Sequence, residues 1–423
     1  NYEFKRDIMT FLQNSVREPK LQLEGMKSKL FAAMRMRDRV LDAVDEYGVE
    51  AVIATLRKSL TDTATEVRRR LKSWPDGKVR QSIYADGTLR ENCLIRIRLE
   101  MEKKDDELIL DFRGSSPEFM NRANNTVLAS LKGMLAQEFL TFTWPDLPRN
   151  QAVFDPMTVL TDKNSAVACS PSSPNAQSMM TFFPSFTAAQ LCVPKFVYSA
   201  VDPHPTDIIA GWYNMIVTFI YGGINQYSEL VGNVCADLNG MGGAARSNRD
   251  GEHAVAPIFA PMADTGEQEL IEEEVPMIKI VPNKVMKDNQ GFGKFRGGQG
   301  YQQIATQKGS PMWGYMCCSL GSKFPTTHGI FGGYGSRSYP LCKVKGVNIF
   351  DVMKNERGLL RYTVEEIMNE QPFEGATYST HHMGLQLEFG EEGELYMLTQ
   401  GTGGGYGDVL DREPELVASD FQD

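Results

Sequence analysis

The sequence predicts an α+β protein: a helical N-terminal region followed by a β-rich multidomain body. Three observations carry that reading. Apolar residues recur at three-to-four spacing up to Trp74. Alternating apolar and charged residues begin near Gln81. Glycine, 38 of 423 residues, is concentrated after residue 205 between short apolar runs.

Each element follows in order. Leu30, Ala33, Met34, Val40, Leu41, Val44 and Tyr47 make one helical stripe, and Gly48 ends it. Thr63-Ala64-Thr65-Glu66 reads as the capping box of a next helix, in which Glu66 and Arg70 form an i,i+4 pair. Trp74-Pro75-Asp76-Gly77 stops that helix. Residues 81–87 and 92–100 read as strands, 102–107 as a turn and 108–112 as the return strand. A helix over 126–142 closes at Trp144-Pro145, prolines then break the chain, and 179–192 reads as another helix. Residues 278–281, 314–319 and 394–398 read as strands. The expected domains are a helical region 1–75, an α+β domain 76–204 and a glycine-rich, β-rich domain 205–423.

Composition excludes several function classes. A formal net charge of -10 and a pI near 5.2 argue against nucleic-acid or anionic-membrane surfaces. The apolar runs all fall short of the roughly 18 residues a bilayer span needs. Seven cysteines without a C-x-x-C pair or even spacing point to a reduced, cytoplasmic protein. Five histidines leave little for a local metal site: His381-His382 would face opposite sides of a strand, and His204/Asp207 lie among prolines. Cys317-Cys318 beside Trp313 read as core.

Four stretches carry possible chemistry. Residues 232–253 combine paired glycines (Gly242, Gly243) with Asp237, Asn239, Arg246, Asp250 and His253. Glycine there permits close backbone approach, and the polar side chains supply donors and acceptors. The plain alternative is a tight loop that satisfies its own backbone. The acidic stretch 267–276 suits a hard cation or arginines such as Arg246 and Arg296, or else a solvated face. Residues 289–300, with Arg296, Gly297 and Gly298, look like a phosphate cradle but lack both the P-loop ending and the dinucleotide glycine spacing. Residues 400–408, with Gly404, Gly405 and Tyr406, and residues 332–337 read as glycine turns.

In sequence order, Pro75-Asp76-Gly77, the run 111–117, Asn124-Asn125, 240–246, Asp250-Gly251, Glu272-Glu273 with Pro276, 295–300 and 403–408 resemble the hydantoinase B / 5-oxoprolinase B family. Within it, Trp212-Tyr213-Asn214, 240–243, Gly251-Glu252-His253, Ala256-Pro257, Gly266-Glu267 with 272–276, and 331–335 are most similar to acetone carboxylase α subunits, with acetophenone carboxylase as an alternative. The resemblance implies part of an ATP-dependent ketone carboxylase that converts acetone and bicarbonate to acetoacetate. Its partners would be β and γ subunits, with ATP used on a partner subunit. A manganese centre would stabilise the enolate as a Lewis acid. Its ligands are expected upstream of Asn1, so no residue here is assigned to metal, and the isolated chain is expected to be inactive. Asp237, Asn239, Arg246, Asp250 and His253 are the candidates for lining the substrate cavity or a channel. An ATP-dependent hydantoinase or 5-oxoprolinase subunit, or a non-catalytic scaffolding subunit, are the other readings.

Overall fold

The computed structural model describes residues 4–422 apart from 17–18, 89–90, 92, 177–178, 201–207, 213–217, 235–239, 256–271, 274, 319–322 and 383–384. The chain forms two compact units, residues 1–65 and 66–423. The first is helical, as expected: α1 (Arg6–Ser15), α2 (Pro19–Tyr47) and the first part of α3 (Val49–Ser73). Gly48 at φ 84° ends α2, and its N–H donates to the Val44 carbonyl at 2.8 Å.

The expected capping box at Thr63 does not open a helix. Thr63 lies inside α3 and its hydroxyl donates to the Ser59 carbonyl at 2.9 Å. A Thr-x-x-Glu spacing carries cap information only where the chain is non-helical before it, and nothing between Val49 and Ser73 breaks the helix. The Glu66–Arg70 pair does form, at 2.8 Å.

The second unit begins with a four-stranded sheet, β1 (Gly77–Ala85), β2 (Ile95–Lys104), β3 (Glu107–Asp111) and β4 (Met157–Leu160), in that spatial order. The β2–β3 turn is tighter than expected. Glu102–Lys104 extend β2, and residues 105–106 turn the chain with Asp105 at φ 53°. Lys103 explains the extension: it is buried, and its ammonium donates to the Trp74 carbonyl (2.6 Å) and to Asp76 (2.8 Å). Parallel pairing of β3 with β4 needs a crossover, which α4 (Leu128–Gln137) supplies. A π-helical turn, Glu138–Thr143, follows α4, and Trp144 closes it. Helix α5 (Met179–Val197) runs past the expected end at Cys192 and packs on β1 and β2. Ile83, Ile97, Leu99, Leu135, Phe139 and Cys192 belong to the shared core.

The remainder is β-rich, as expected. It contains β5 (Thr218–Ile224), β6 (Leu230–Val234), β7 (Met277–Val285), β8 (Tyr301–Gln307), β9 (Trp313–Cys318), β10 (Leu341–Lys345), β11 (Thr377–His381), β12 (Leu385–Gly390) and β13 (Leu395–Thr399). The helices α6 (Ile349–Asn355) and α7 (Val364–Glu370) lie between β10 and β11 in sequence, and α8 (Pro414–Gln422) follows the last strand. One sheet has the order β11-β10-β13-β8-β7 and the other β12-β9-β5-β6. Tyr221, Trp313 and Tyr315 of the second sheet pack on Met277, Ala305, Leu341, Tyr396 and Leu398 of the first. The first sheet's other face meets Ile349, Val364 and Ile367 of α6 and α7. Burial on both faces accounts for the fully buried β8 and β13. A true capping box opens α7, between Thr363 and Glu366.

Candidate functional site

The glycine-rich stretches meet one another. Extended segments around 208–212, 240–255, 289–300, 326–337 and 400–407 lie side by side without forming regular strands. Gly242 N–H donates to Gly401 (3.0 Å), Gly243 to Glu252 (2.7 Å), Gly298 to Gly243 (2.7 Å) and Gly297 to Gly291 (2.9 Å). Gly403 donates to Gly298 (3.3 Å), Gly404 to Gly211 (2.9 Å), Gly405 to Tyr334 (2.9 Å) and Tyr406 to Phe295 (2.9 Å). Their backbones pass too close for side chains. A Cβ on Gly242 would lie 1.8 Å from the Gly298 oxygen, and one on Gly298 1.8 Å from the Glu252 oxygen.

This geometry bears on the phosphate question. A phosphate cradle needs several backbone N–H groups left unbonded and pointing at one place. Here the N–H groups of Gly242, Gly243, Gly297, Gly298, Gly404 and Gly405 all go to backbone carbonyls. The signature loops therefore form a packed backbone core. Trp212, Ala244, Ile209 and Ile330 pack beside it, with Tyr406 against them.

Polar side chains gather at one edge of this core. Asp250 accepts two hydrogen bonds from Arg412, both at 2.8 Å, and one from the Arg296 backbone N–H at 2.9 Å. Asp420 of α8 takes the Arg296 Nε at 2.6 Å and Arg412 at 2.7–3.0 Å. Arg412 also donates to the Lys294 carbonyl at 3.0 Å. Two arginines and two aspartates thus neutralise one another and hold α8 on the glycine core. Burial works against the Asp250 carboxylate, but Arg412 and the Arg296 N–H outweigh it and keep its pKa below the usual range.

Beside this cluster is a cavity of about 430 Å³ lined by His253, Gln290, Arg296, Gln299, Asp420 and Phe421, among others. The Gln299 N–H donates to His253 Nδ1 at 3.0 Å, which places that ring's proton on Nε2 in the neutral form. Arg296 Nη1 is buried and meets no acceptor.

Of the five candidate cavity residues, the structure brings Asp250 and His253 to this edge. Arg246 lies elsewhere in the loop, with its guanidinium 5.4 Å from the centre of the Trp212 ring. Asp237 and Asn239 fall outside the described residues, as do His204, Asp207 and most of the acidic stretch 267–276. The described Glu272 and Glu273 accept from the Gln226 amide through their backbone carbonyls. Sequence reasoning misses Arg412, Asp420 and the two glutamines. Arg412 is 162 positions from Asp250, and no local pattern marks the pair.

The same residues do not suit a metal. Among the described residues, no group of three or more His, Cys, Asp or Glu is arranged to hold a metal ion. The described part of the chain therefore does not fit manganese. Among the described residues no helix is long and apolar enough to cross a membrane.

Fold and site define an α+β chain whose glycine segments build a core and whose polar edge frames a small cavity. The chain belongs to the hydantoinase B/oxoprolinase family, whose sequence profile matches residues 1–409. It is 25% identical over 425 residues to the acetophenone carboxylase delta subunit of Aromatoleum aromaticum, covering 100% of this chain and 61% of that protein. The B component of a putative D-/L-hydantoinase from a Pseudomonas species is 24% identical over 432 residues, covering 99% of this chain and 65% of the relative. The nucleotide-free structure of acetone carboxylase superposes with a TM-score of 0.90 at 20% identity, covering 99% of this chain and 57% of that one. The chain thus spans about three fifths of the length of the relatives it matches. Those relatives are named as subunits, one of a carboxylase and one of a hydantoinase.

Proposed function

We propose that this chain is part of the α-type subunit of an ATP-dependent ketone carboxylase, in which a ketone such as acetone and bicarbonate give a 3-oxo acid such as acetoacetate. The observation that carries the reading is the alignment of the whole chain with a carboxylase subunit. The fold shared with acetone carboxylase supports it. In this reading ATP is consumed on a partner subunit. That assignment agrees with the signature glycines, whose N–H groups are already bonded within the backbone. Manganese, where the enolate would form, belongs to residues other than those described. Partner subunits of β and γ type complete the assembly, and acetophenone is the alternative ketone.

The cavity framed by His253 and Arg296 is the proposed substrate cavity or channel, with Asp250 fixing Arg296 from behind. Here the protein's own contribution is to hold charge in place: a guanidinium tied by Asp420, on a backbone held by Asp250, needs little reorganisation when a ligand arrives. A cyclic-amide hydrolase is the second reading, favoured by the similarity to a hydantoinase component. Purified full-length protein with its co-purifying subunits decides between them. Ketone-dependent formation of AMP and a 3-oxo acid is expected. ATP-dependent opening of hydantoin or 5-oxoproline, without ketone turnover, would replace the carboxylase reading.

A further inference from the structure

We propose that the helical unit 1–65 is a self-docking surface. A second copy of this chain packs on it about a two-fold axis at Gly48, with α2 of each copy antiparallel on α3 of the other.

The unit is apolar in mirror image about Gly48. Met36, Val40, Ala43 and Tyr47 stand 12, 8, 5 and 1 residues before it, and Val49, Ile53, Leu56 and Leu60 stand 1, 5, 8 and 12 residues after it. Each set alternates steps of four and three, the heptad rhythm by which one helix packs along another. Helix α1 packs on α2 but leaves these seams open: Met36 is 67% exposed, Tyr47 66% and Leu56 62%, and Val40, Val49 and Ile53 are exposed as well. Large apolar side chains aligned in this way mark an interaction surface, whereas scattered ones do not.

Within one chain the two seams cannot close on each other. A helical hairpin needs a loop of about two to five residues, and Gly48 alone separates α2 from α3.

A second copy supplies the missing partner. With Gly48 on the axis, Met36 meets Leu60 of the other copy, Val40 meets Leu56, Ala43 meets Ile53 and Tyr47 meets Val49. Symmetry gives each contact twice, so the four pairs make eight layers, apolar on both sides. Ala43 against Ile53 sets a small side chain against a large one, as interdigitating layers do. A Cβ on Gly48 would meet nothing within 4 Å, so the two backbones have room to cross there. Eight such layers bury on the order of 1,500 Å², the size of a specific interface. A partner of different sequence does not require the mirror pattern. An isologous contact, in which residue i meets j and j meets i, does.

The test is disulfide trapping in the full chain. Val40→Cys and Leu56→Cys fall at exposed positions, so both chains are expected to fold. Mixed and oxidised, the two single variants are expected to give a covalent dimer of twice the 47.3 kDa chain mass. Either variant oxidised alone should give no more dimer than the parent, because Val40 meets Leu56 and not itself. Sedimentation of the full chain is expected to show a dimer that Val40→Asp weakens by at least about a hundredfold. Fluorescence of the four tryptophans, Trp74, Trp144, Trp212 and Trp313, should show the rest of that variant still folded. Each single variant trapping itself as well as the mixture does would overturn the register. A chain that is monomeric at every concentration, or a dimer indifferent to Val40→Asp, would overturn the docking surface. If Val40→Asp instead releases a different subunit from the assembled enzyme while the chain itself is monomeric, the seam belongs to that subunit and the proposal falls.

Discussion

Glu138 offers a sharp test of how this fold handles charge. It opens the π-helical turn after α4, is only 2% exposed, and is followed in the chain by the core residues Phe139 and Leu140. One carboxyl oxygen accepts from Thr143 at 3.3 Å, and the other has no partner. Burial raises its pKa from 4.5 to about 8, and the Thr143 hydroxyl offsets only part of that. Between those values the folded chain holds a proton that the unfolded chain has lost. The folded state binds more protons there, so stability falls as pH rises, by about 1.4 kcal/mol per pH unit. The accumulated penalty is about 3 kcal/mol at pH 7, and about 5 kcal/mol as an upper limit above pH 8. Glu138→Gln removes the titration while keeping the size and shape of the side chain. Guanidinium unfolding of both proteins from pH 5 to 9 should show the variant gaining on the parent up to about pH 8, then running parallel. A constant offset across that range would refute the argument, because a merely steric or hydrogen-bonding effect does not depend on pH.

Three further outcomes follow from the described contacts. Gly298→Ala places a Cβ 1.8 Å from the Glu252 carbonyl and is expected to cost at least about 4 kcal/mol, whereas Gly77→Ala meets nothing within 4 Å and should stay within about 1 kcal/mol of the parent. Limited proteolysis and circular dichroism of the two variants make the comparison. Arg412→Met leaves Asp250 and Asp420 short of a partner and should destabilise by about 3–5 kcal/mol, with α8 becoming open to protease. Because the Asp250 pKa is depressed, the stability it contributes is present above its ordinary 3.8 and lost as pH falls through its lower folded value; in Arg412→Met that acid-side loss should shrink. Thr363→Ala removes the side-chain half of the α7 capping box and should cost about 1 kcal/mol, read as a lower unfolding midpoint.

Local pattern was enough where an element's identity depends on its own residues. The stripes that end at Gly48 and at Trp74, the alternation of β2 and the apolar run of α5 were all legible in the sequence. Each follows from the period of its apolar positions and from the residue that stops it. Local pattern misled where the same residues serve two roles. Thr63 and Glu66 have cap spacing inside an unbroken helix, while Thr363 and Glu366, with that same spacing, do open one. The stretch 102–107 is charged enough for a turn, yet Lys103 is drawn into β2 by the Trp74 carbonyl and Asp76, partners that lie before the strand begins.

The candidate site divides the same way. From sequence alone, the order of the glycine segments was legible, and Asp250 and His253 stood among five polar candidates with Asp237, Asn239 and Arg246, which local pattern could not rank. Tertiary structure alone decided what the glycines are for. Gly243, Gly298 and Gly403 bond to one another across 160 positions of chain, so their role is set by backbones that meet only after folding. It also decided how the charged cluster beside the cavity is balanced. Asp250 and Arg412 find one another across 162 positions, and Asp420 joins them by taking the Arg296 Nε, so all four charges are engaged. Short-range periodicity depends on neighbours in the chain and can be read from it; the balance of a charged cluster depends on neighbours in space and cannot.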